Sequence, residues 1–233
     1  MGADAGGQVG PGPREGLRRP YVILAAACSV DGRIATRAGD SSFSSARDLR
    51  RLHRLRASVD AIMIGIGTLL SDDPELSVRL AKGRTPLRVV VDSRARTPPE
   101  SRLLATRGLG PVLVAVAQQA DEARVRALGA RGAEVVRLGK RRVDLRLLLG
   151  ELWKRGIRRL LLEGGSELNW AMLRRGLVDE LRLFIRPVIV GGRAAKPLAG
   201  GRGASSVEGG VRLKLLALTP EREGLYLRYR VLA

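Results

Sequence analysis

Cysteine and histidine each occur once in this chain, at Cys28 and His53. One cysteine cannot close an intramolecular disulfide, and the pair cannot supply a Cys/His metal cluster. A Cys- or His-based nucleophile system is equally short of parts. Aromatic residues make up 3% of the chain, asparagine occurs only at Asn169, and glutamine occurs three times. No apolar run approaches the roughly 20 residues of a membrane-spanning helix, so no membrane partner is expected. Residues 1–16 are Gly-rich and polar, without the hydrophobic centre of a signal peptide, and read as a flexible leader. A cytoplasmic, metal-free protein is the simplest expectation.

Positive charge is abundant, with 42 Lys+Arg against 23 Asp+Glu and a net charge of +19. Nucleic-acid binders gather basic residues on one face and add aromatics for stacking. Here arginines are spread along the whole chain, so no specific nucleic-acid partner is expected. An Arg-rich nucleic-acid-binding protein stays as the non-enzyme alternative, recognisable by steeply salt-dependent binding. A positive field would also steer phosphorylated small molecules toward the protein. High charge with few thermolabile amides matches a thermophile's composition. With 233 residues, 45% of them hydrophobic, the chain can bury a full core.

Residues 20–28 form an uninterrupted apolar run, as in a strand buried on both faces, and Asp31-Gly32 then favours a tight turn. Cys28 reads as a small core residue. Ser44 or Ser45 can cap a helix over 46–57, whose apolar side carries Leu49, Leu52 and Leu55. His53 reads as a packed or solvated residue of that helix. A second buried strand over 59–68 leads into a glycine-bearing turn, and 71–79 reads as a loop. Its adjacent Asp72 and Asp73 fit a capped Asp-Pro turn better than a metal or acid–base pair.

Strands over 87–93, 112–116, 133–138 and 158–165 alternate with helices over 121–131 and 144–155, and a helix over 166–175 follows. That alternation predicts an α/β protein with a largely parallel sheet. Residues 179–190 alternate over a longer stretch. Residues 212–218 and 225–231 form an antiparallel hairpin around a turn at 219–224. One domain with an antiparallel edge results.

The apolar run at 160–162 stops at Glu163, Gly164 and Gly165 follow, and an amphipathic helix begins. Such a turn points the helix's first amides beyond the strand's carboxyl end, where a phosphate can sit. It can equally be one tight connection among several. Thr68 with Asp72, and Asp92 with Ser93, also follow buried strands, and ligands of open α/β sheets bind beyond those ends. The G-x-G-x-x-G fingerprint is missing, because Gly65-Ile66-Gly67 is followed by Leu70. Chemistry from an organic cofactor fits this inventory.

Five segments together resemble the riboflavin-biosynthesis pyrimidine reductases. They are residues 29–36 (SVDGRIAT), 39–41 (GDS), 65–76 (GIGTLLSDDPEL), 89–93 (VVVDS) and 162–170 (LEGGSELNW). The resemblance implies a single-domain dihydrofolate reductase-like fold over 17–233, a mostly parallel sheet flanked by helices with a C-terminal antiparallel hairpin. The bacterial fused deaminase needs His-Ala-Glu and Pro-Cys-x-x-Cys motifs, so the chain looks like the free-standing archaeal or fungal type.

The activity implied is reduction of 2,5-diamino-6-ribosylamino-4(3H)-pyrimidinone 5′-phosphate to its ribitylamino product with NADPH, NADH being possible. The deaminated 5-amino-6-ribosylaminouracil 5′-phosphate and a pterin are the alternative substrates. By the same resemblance, Thr68, Asp72, Asp92, Ser93, Arg94, Ala95, Gly164, Gly165, Ser166, Glu167 and Leu168 bind the cofactor. Ser41, Arg56, Leu76, Arg79 and Glu163 contact the substrate, and Asp31 and Glu163 are the acids to test as catalytic. Bacterial relatives often carry Lys where this chain has Ala25, and Trp where it has Phe43. A homodimer is implied, with residues 184–190 as a possible interface.

Overall fold

The structure, a computed structural model, describes residues 18–232. The leader expected over 1–16 lies outside the described residues. The chain runs β1 (Tyr21–Ser29), β2 (Arg33–Ala35), α1 (Ala46–Ala57), β3 (Ala61–Gly65), α2 (Ile66–Asp72) and β4 (Leu87–Val91). Next come α3 (Arg102–Ala105), β5 (Val112–Val116), α4 (Glu122–Ala130), β6 (Glu134–Arg137), α5 (Leu145–Lys154), β7 (Arg159–Leu162) and α6 (Ser166–Leu173). The last elements are β8 (Glu180–Arg186), β9 (Lys196–Pro197), β10 (Leu213–Glu221) and β11 (Gly224–Val231).

Nine strands form one sheet in the order β10-β11-β8-β1-β7-β3-β4-β5-β6. From β8 to β6 every neighbouring pair is parallel, whereas β11 and β10 add antiparallel strands beyond β8. Successive side chains of a strand point to opposite faces, so a sheet covered on both sides needs apolar residues at every position. Ile23, Ile62, Ile64 and Leu161 accordingly pack on one face with Leu55 of α1 and Leu128 of α4. Val22, Leu24, Met63, Leu160 and Leu162 pack on the other with Leu148 of α5 and Met172 of α6. Among the described residues, no helix is long and apolar enough to cross a membrane.

Three local expectations change. Residues 66–72 are helical rather than the end of a strand and the start of a loop. Leu69 is buried there, and Asp73 ends the helix in the left-handed conformation. On α1, Leu49 is exposed, and the inward residues are Asp48, His53, Leu55 and Arg56. The long alternating stretch stops at Arg186, because Pro187 lacks an N–H and the amides of Val190 and Gly191 donate to Asp31 instead. Strand β8 lies inside the sheet with Phe184 1% exposed, whereas Val188 and Ile189 beyond it are 39 and 75% exposed. The exposed apolar strand is β10, at the sheet's edge.

Candidate active site

The carboxyl ends of β1, β3, β4 and β7 open into one cleft of about 990 Å³. The ends of β3 and β7 are tied together there. Glu163 N donates to Met63 O at 2.9 Å, and Gly65 N donates to Gly164 O at 2.8 Å. Gly164 sits at φ +99°, where a side chain would be strained. The Gly164–Gly165 peptide is cis, and a Cβ on Gly165 would come within 2.9 Å of Thr68 Oγ1. The turn therefore presses bare backbone against the first turn of α2. Helix α6 begins at Ser166 with no side chain capping its first amides. The Ser166 hydroxyl is buried without a hydrogen-bond partner. Open amides, an unpartnered hydroxyl and a glycine floor fit the pyrophosphate of a nicotinamide dinucleotide.

Of the expected site residues, Ser41, Thr68, Asp72, Ser93, Glu163, Gly164, Gly165, Ser166, Glu167 and Leu168 all line this cleft. Arg56 stands behind it. Its guanidinium grips Glu163 in two hydrogen bonds of 2.8 and 2.6 Å and donates to Ser77 O at 3.0 Å. Burial would lower the Arg56 pKa, but the facing Glu163 carboxylate more than offsets that and leaves it raised. Arg56 therefore positions Glu163.

The other expected residues do not line the cleft. Asp31 accepts from Ser29 Oγ at 2.6 Å, Val190 N at 3.0 Å and Gly191 N at 2.8 Å. Those bonds, the Ser29 hydroxyl first, hold its carboxyl well below the usual range, which makes it a poor proton donor. Its evident work is to pin the segment after β8 to the turn after β1. Leu76 is buried in the core at φ +53°. Arg79 is exposed beside Glu75, and its backbone N donates to His53 Nδ1 at 2.9 Å. His53 is buried away from the cleft; burial first, and then the charges of Arg56 and Arg79, lower its pKa.

Asp92 is wholly buried, and its Oδ2 accepts from both Thr97 N and Thr97 Oγ1 at 2.7 and 2.9 Å. With Ala95, buried at φ +52°, it shapes the loop that presents Ser93. Arg94 lines a shallower neighbouring pocket with Arg124 and Arg141. Burial pushes the Cys28 thiol up to about 11, which keeps it out of thiolate chemistry.

Sequence reasoning missed the opposite wall, where Ser44, Asp48, Arg51, Arg182 and Tyr226 line the cleft. Asp48 is buried and accepts from Ser44 Oγ at 2.7 Å and from Arg51 Nη1 at 2.9 Å. Burial raises its pKa, against the pull of Ser44 and Arg51. Arg51 also pairs with Glu221 and lies 3.7 Å over the Tyr226 ring. The available signal was an acid on the inward stripe of α1, four residues before Leu52 and seven before Leu55. Arg96, Arg142, Arg174, Lys196 and Arg202 add positive charge to the cleft's walls. Among the described residues, no group of three or more His, Cys, Asp or Glu side chains is placed to hold a metal ion.

Comparison with known proteins agrees with this geometry. The 2,5-diamino-6-ribosylamino-4(3H)-pyrimidinone 5′-phosphate reductase of Methanothermobacter thermautotrophicus is 51% identical over 216 residues, which cover 91% of this chain and 99% of that protein. The solved structure of Acinetobacter baumannii RibD superposes with a TM-score of 0.79 at 27% identity, covering 92% of this chain and 58% of that one. Dihydrofolate reductase from Enterococcus faecalis shares the fold alone, with a TM-score of 0.51 at 12% identity over 91% of this chain and 96% of that one. The family model described as the RibD C-terminal domain matches residues 20–227. Sheet order, glycine turn and sequence likeness agree: the chain belongs to the RibD C-terminal domain family.

Proposed function

We propose that this chain is a cytoplasmic 2,5-diamino-6-ribosylamino-4(3H)-pyrimidinone 5′-phosphate reductase of riboflavin biosynthesis that uses NADPH. The observation that carries the reading is the Glu163–Ser166 turn. It sets an anchored carboxylate and a bare backbone side by side, facing Thr68 in a cationic cleft. The 51% identity to a relative of that name supports it.

On this reading Thr68 and Asp72 hold the nicotinamide half, Ser93 takes the adenosine side, and the 164–168 backbone with Ser166 Oγ holds the pyrophosphate. Asp92 and Ala95 act through the shape of their loop. The NADPH preference rests on the arginines around Ser93, of which Arg94, Arg96 and Arg142 are within the two pockets it lines. A bound nicotinamide supplies the hydride that reduces C1′ of the opened ribose. Glu163, fixed by Arg56, orients the ribose chain and stabilises the positive charge of the protonated imine that would accept the hydride. Ser41 and the cationic rim receive the phosphorylated end, while Leu76 and Arg79 support the site from outside the cleft.

We also infer a homodimer formed through β10. Leu213, Leu215 and Leu218 on that edge strand are 40, 50 and 52% exposed, and an exposed apolar edge invites pairing with another copy.

Mixing the purified protein with NADPH and each pyrimidine phosphate, then following NADPH absorbance and the ribityl product, tests the activity. Oxidation with the diamino substrate is expected; no oxidation with either substrate would sink the proposal.

A further inference from the structure

The two candidate substrates differ along one edge of the ring, at C2 and the adjoining N1. The 2,5-diamino-4(3H)-pyrimidinone presents N3–H beside a 2-amino group, two adjacent donors. The deaminated uracil presents N3–H beside a C2 carbonyl, a donor next to an acceptor. A carboxylate accepts from two parallel donors and repels a carbonyl, so one buried acid in the base pocket suffices to tell the rings apart.

The cleft holds such an acid outside the Glu163 pair. Asp48 projects from α1 into the wall opposite the glycine turn, with 11% of its side chain exposed. Ser44 Oγ donates to its Oδ2 and Arg51 Nη1 to its Oδ1, which leaves each oxygen a further lone pair for a ligand. Arg51 is itself held by Glu221 and by the Tyr226 ring, so the carboxylate has a fixed orientation. Burying an acid on the inward stripe of a helix costs stability, and no fully buried cation repays it: Arg51 keeps 19% exposure and is shared with Glu221. A group retained at that cost in a cleft wall is placed to meet a ligand.

We propose that Asp48 is the residue that selects the diaminopyrimidinone ring, accepting hydrogen bonds from its N3–H and 2-amino group, with Arg51 and Ser44 as positioning residues. The proposal rests on the reductase reading, and its test is arranged to fail separately.

The probes are two free bases that differ only at C2 and the adjoining N1, 2,5,6-triaminopyrimidin-4-one and 5,6-diaminouracil, titrated calorimetrically into the protein with NADPH present. The wild type should bind the triamino base at least about tenfold more tightly, the effect of one charge-assisted hydrogen bond. Asp48→Ala should abolish that preference. Asp48→Asn should reverse it, because a carboxamide offers an acceptor to N3–H and a donor to the C2 carbonyl. A merely structural role would lower both affinities together and could not invert their ratio. Unchanged melting temperature and NADPH affinity in Asp48→Asn verify folding. Equal binding of both bases by the wild type, or an unaltered ratio in Asp48→Asn, overturns the proposal. Base selectivity without turnover of either phosphate would instead leave Asp48 as the selector and remove the reductase reading.

Discussion

The Arg56 guanidinium holds the Glu163 carboxylate in a two-pronged grip, at 2.8 and 2.6 Å, across 107 residues of sequence. Arg56 lies in the last turn of α1 and Glu163 follows β7, so the pair locks the helix on one face of the sheet to the strand end beside the glycine turn. Both side chains are only 10% exposed. Removing one partner leaves the other's charge buried, at a cost of about 3–5 kcal/mol. Arg56→Met is therefore expected to lower the melting temperature and activity together. Glu163→Gln, which keeps size and one acceptor, should lose less stability and retain little activity. Thermal denaturation beside NADPH-oxidation kinetics checks the split, and normal turnover in Glu163→Gln would remove its role.

Gly165 should tolerate no side chain. A methyl group there would meet Thr68 Oγ1 at 2.9 Å and intrude on the surface assigned to the pyrophosphate. Gly165→Ala is expected to weaken NADPH binding at least about tenfold, or 1.4 kcal/mol, with a smaller change in unfolding midpoint. Fluorescence titration with NADPH reads the first quantity and urea denaturation the second. Equal NADPH affinity in a folded variant counts against the cofactor assignment.

Tyr21 sits close to Glu180, its hydroxyl donating to Oε2 at 3.2 Å. Burial, and then the Glu180 charge, raise its pKa to about 12. The folded protein thus keeps a proton that the unfolded chain releases near pH 10, so folding stability falls as pH rises from about 10 toward 12. Burial also raises the Tyr226 pKa, so ultraviolet titration of the phenolates should show late ionisation, of which the Tyr21 part disappears in Tyr21→Phe. A normal titration of all three tyrosines would refute the assignment.

The apolar edge of β10 predicts assembly. Leu215→Lys and Leu218→Lys together should convert a dimer to a monomer in sedimentation velocity, leaving far-ultraviolet dichroism unchanged, since both side chains are half exposed. A wild type that sediments as a monomer at micromolar concentration would dispose of the dimer.

The central parallel strands were legible because a strand buried on both faces is written as an apolar run. Residues 20–28 and 160–162 are such runs. The glycine turn proposed to hold the cofactor was legible for a local reason. A strand end, two glycines and a helix start are contiguous, so the chemistry of residues 162–168 shows in one peptide. Short helices were not legible: α2 has seven residues, too few for a periodic pattern, and its start carries two glycines.

The sequence by itself determined the α/β class, through the alternation of apolar runs and helical patterns, and composition determined the shortage of Cys and His and the positive charge that favours phosphorylated ligands. The tertiary structure decided which acids face the cleft. Asp31, with both oxygens taken by neighbouring donors, and Asp92, wholly buried with Oδ2 bonded twice to Thr97, serve their loops. Asp48, inside an ordinary Arg-rich helix, is turned into the cleft wall by the packing of α1 against the sheet. Pairwise spacing reports neighbours within a few residues, whereas Asp48, Glu163 and Tyr226 share one cavity only because the start of α1, the end of β7 and the start of β11 meet there. That convergence depends on sheet order, which no single segment encodes.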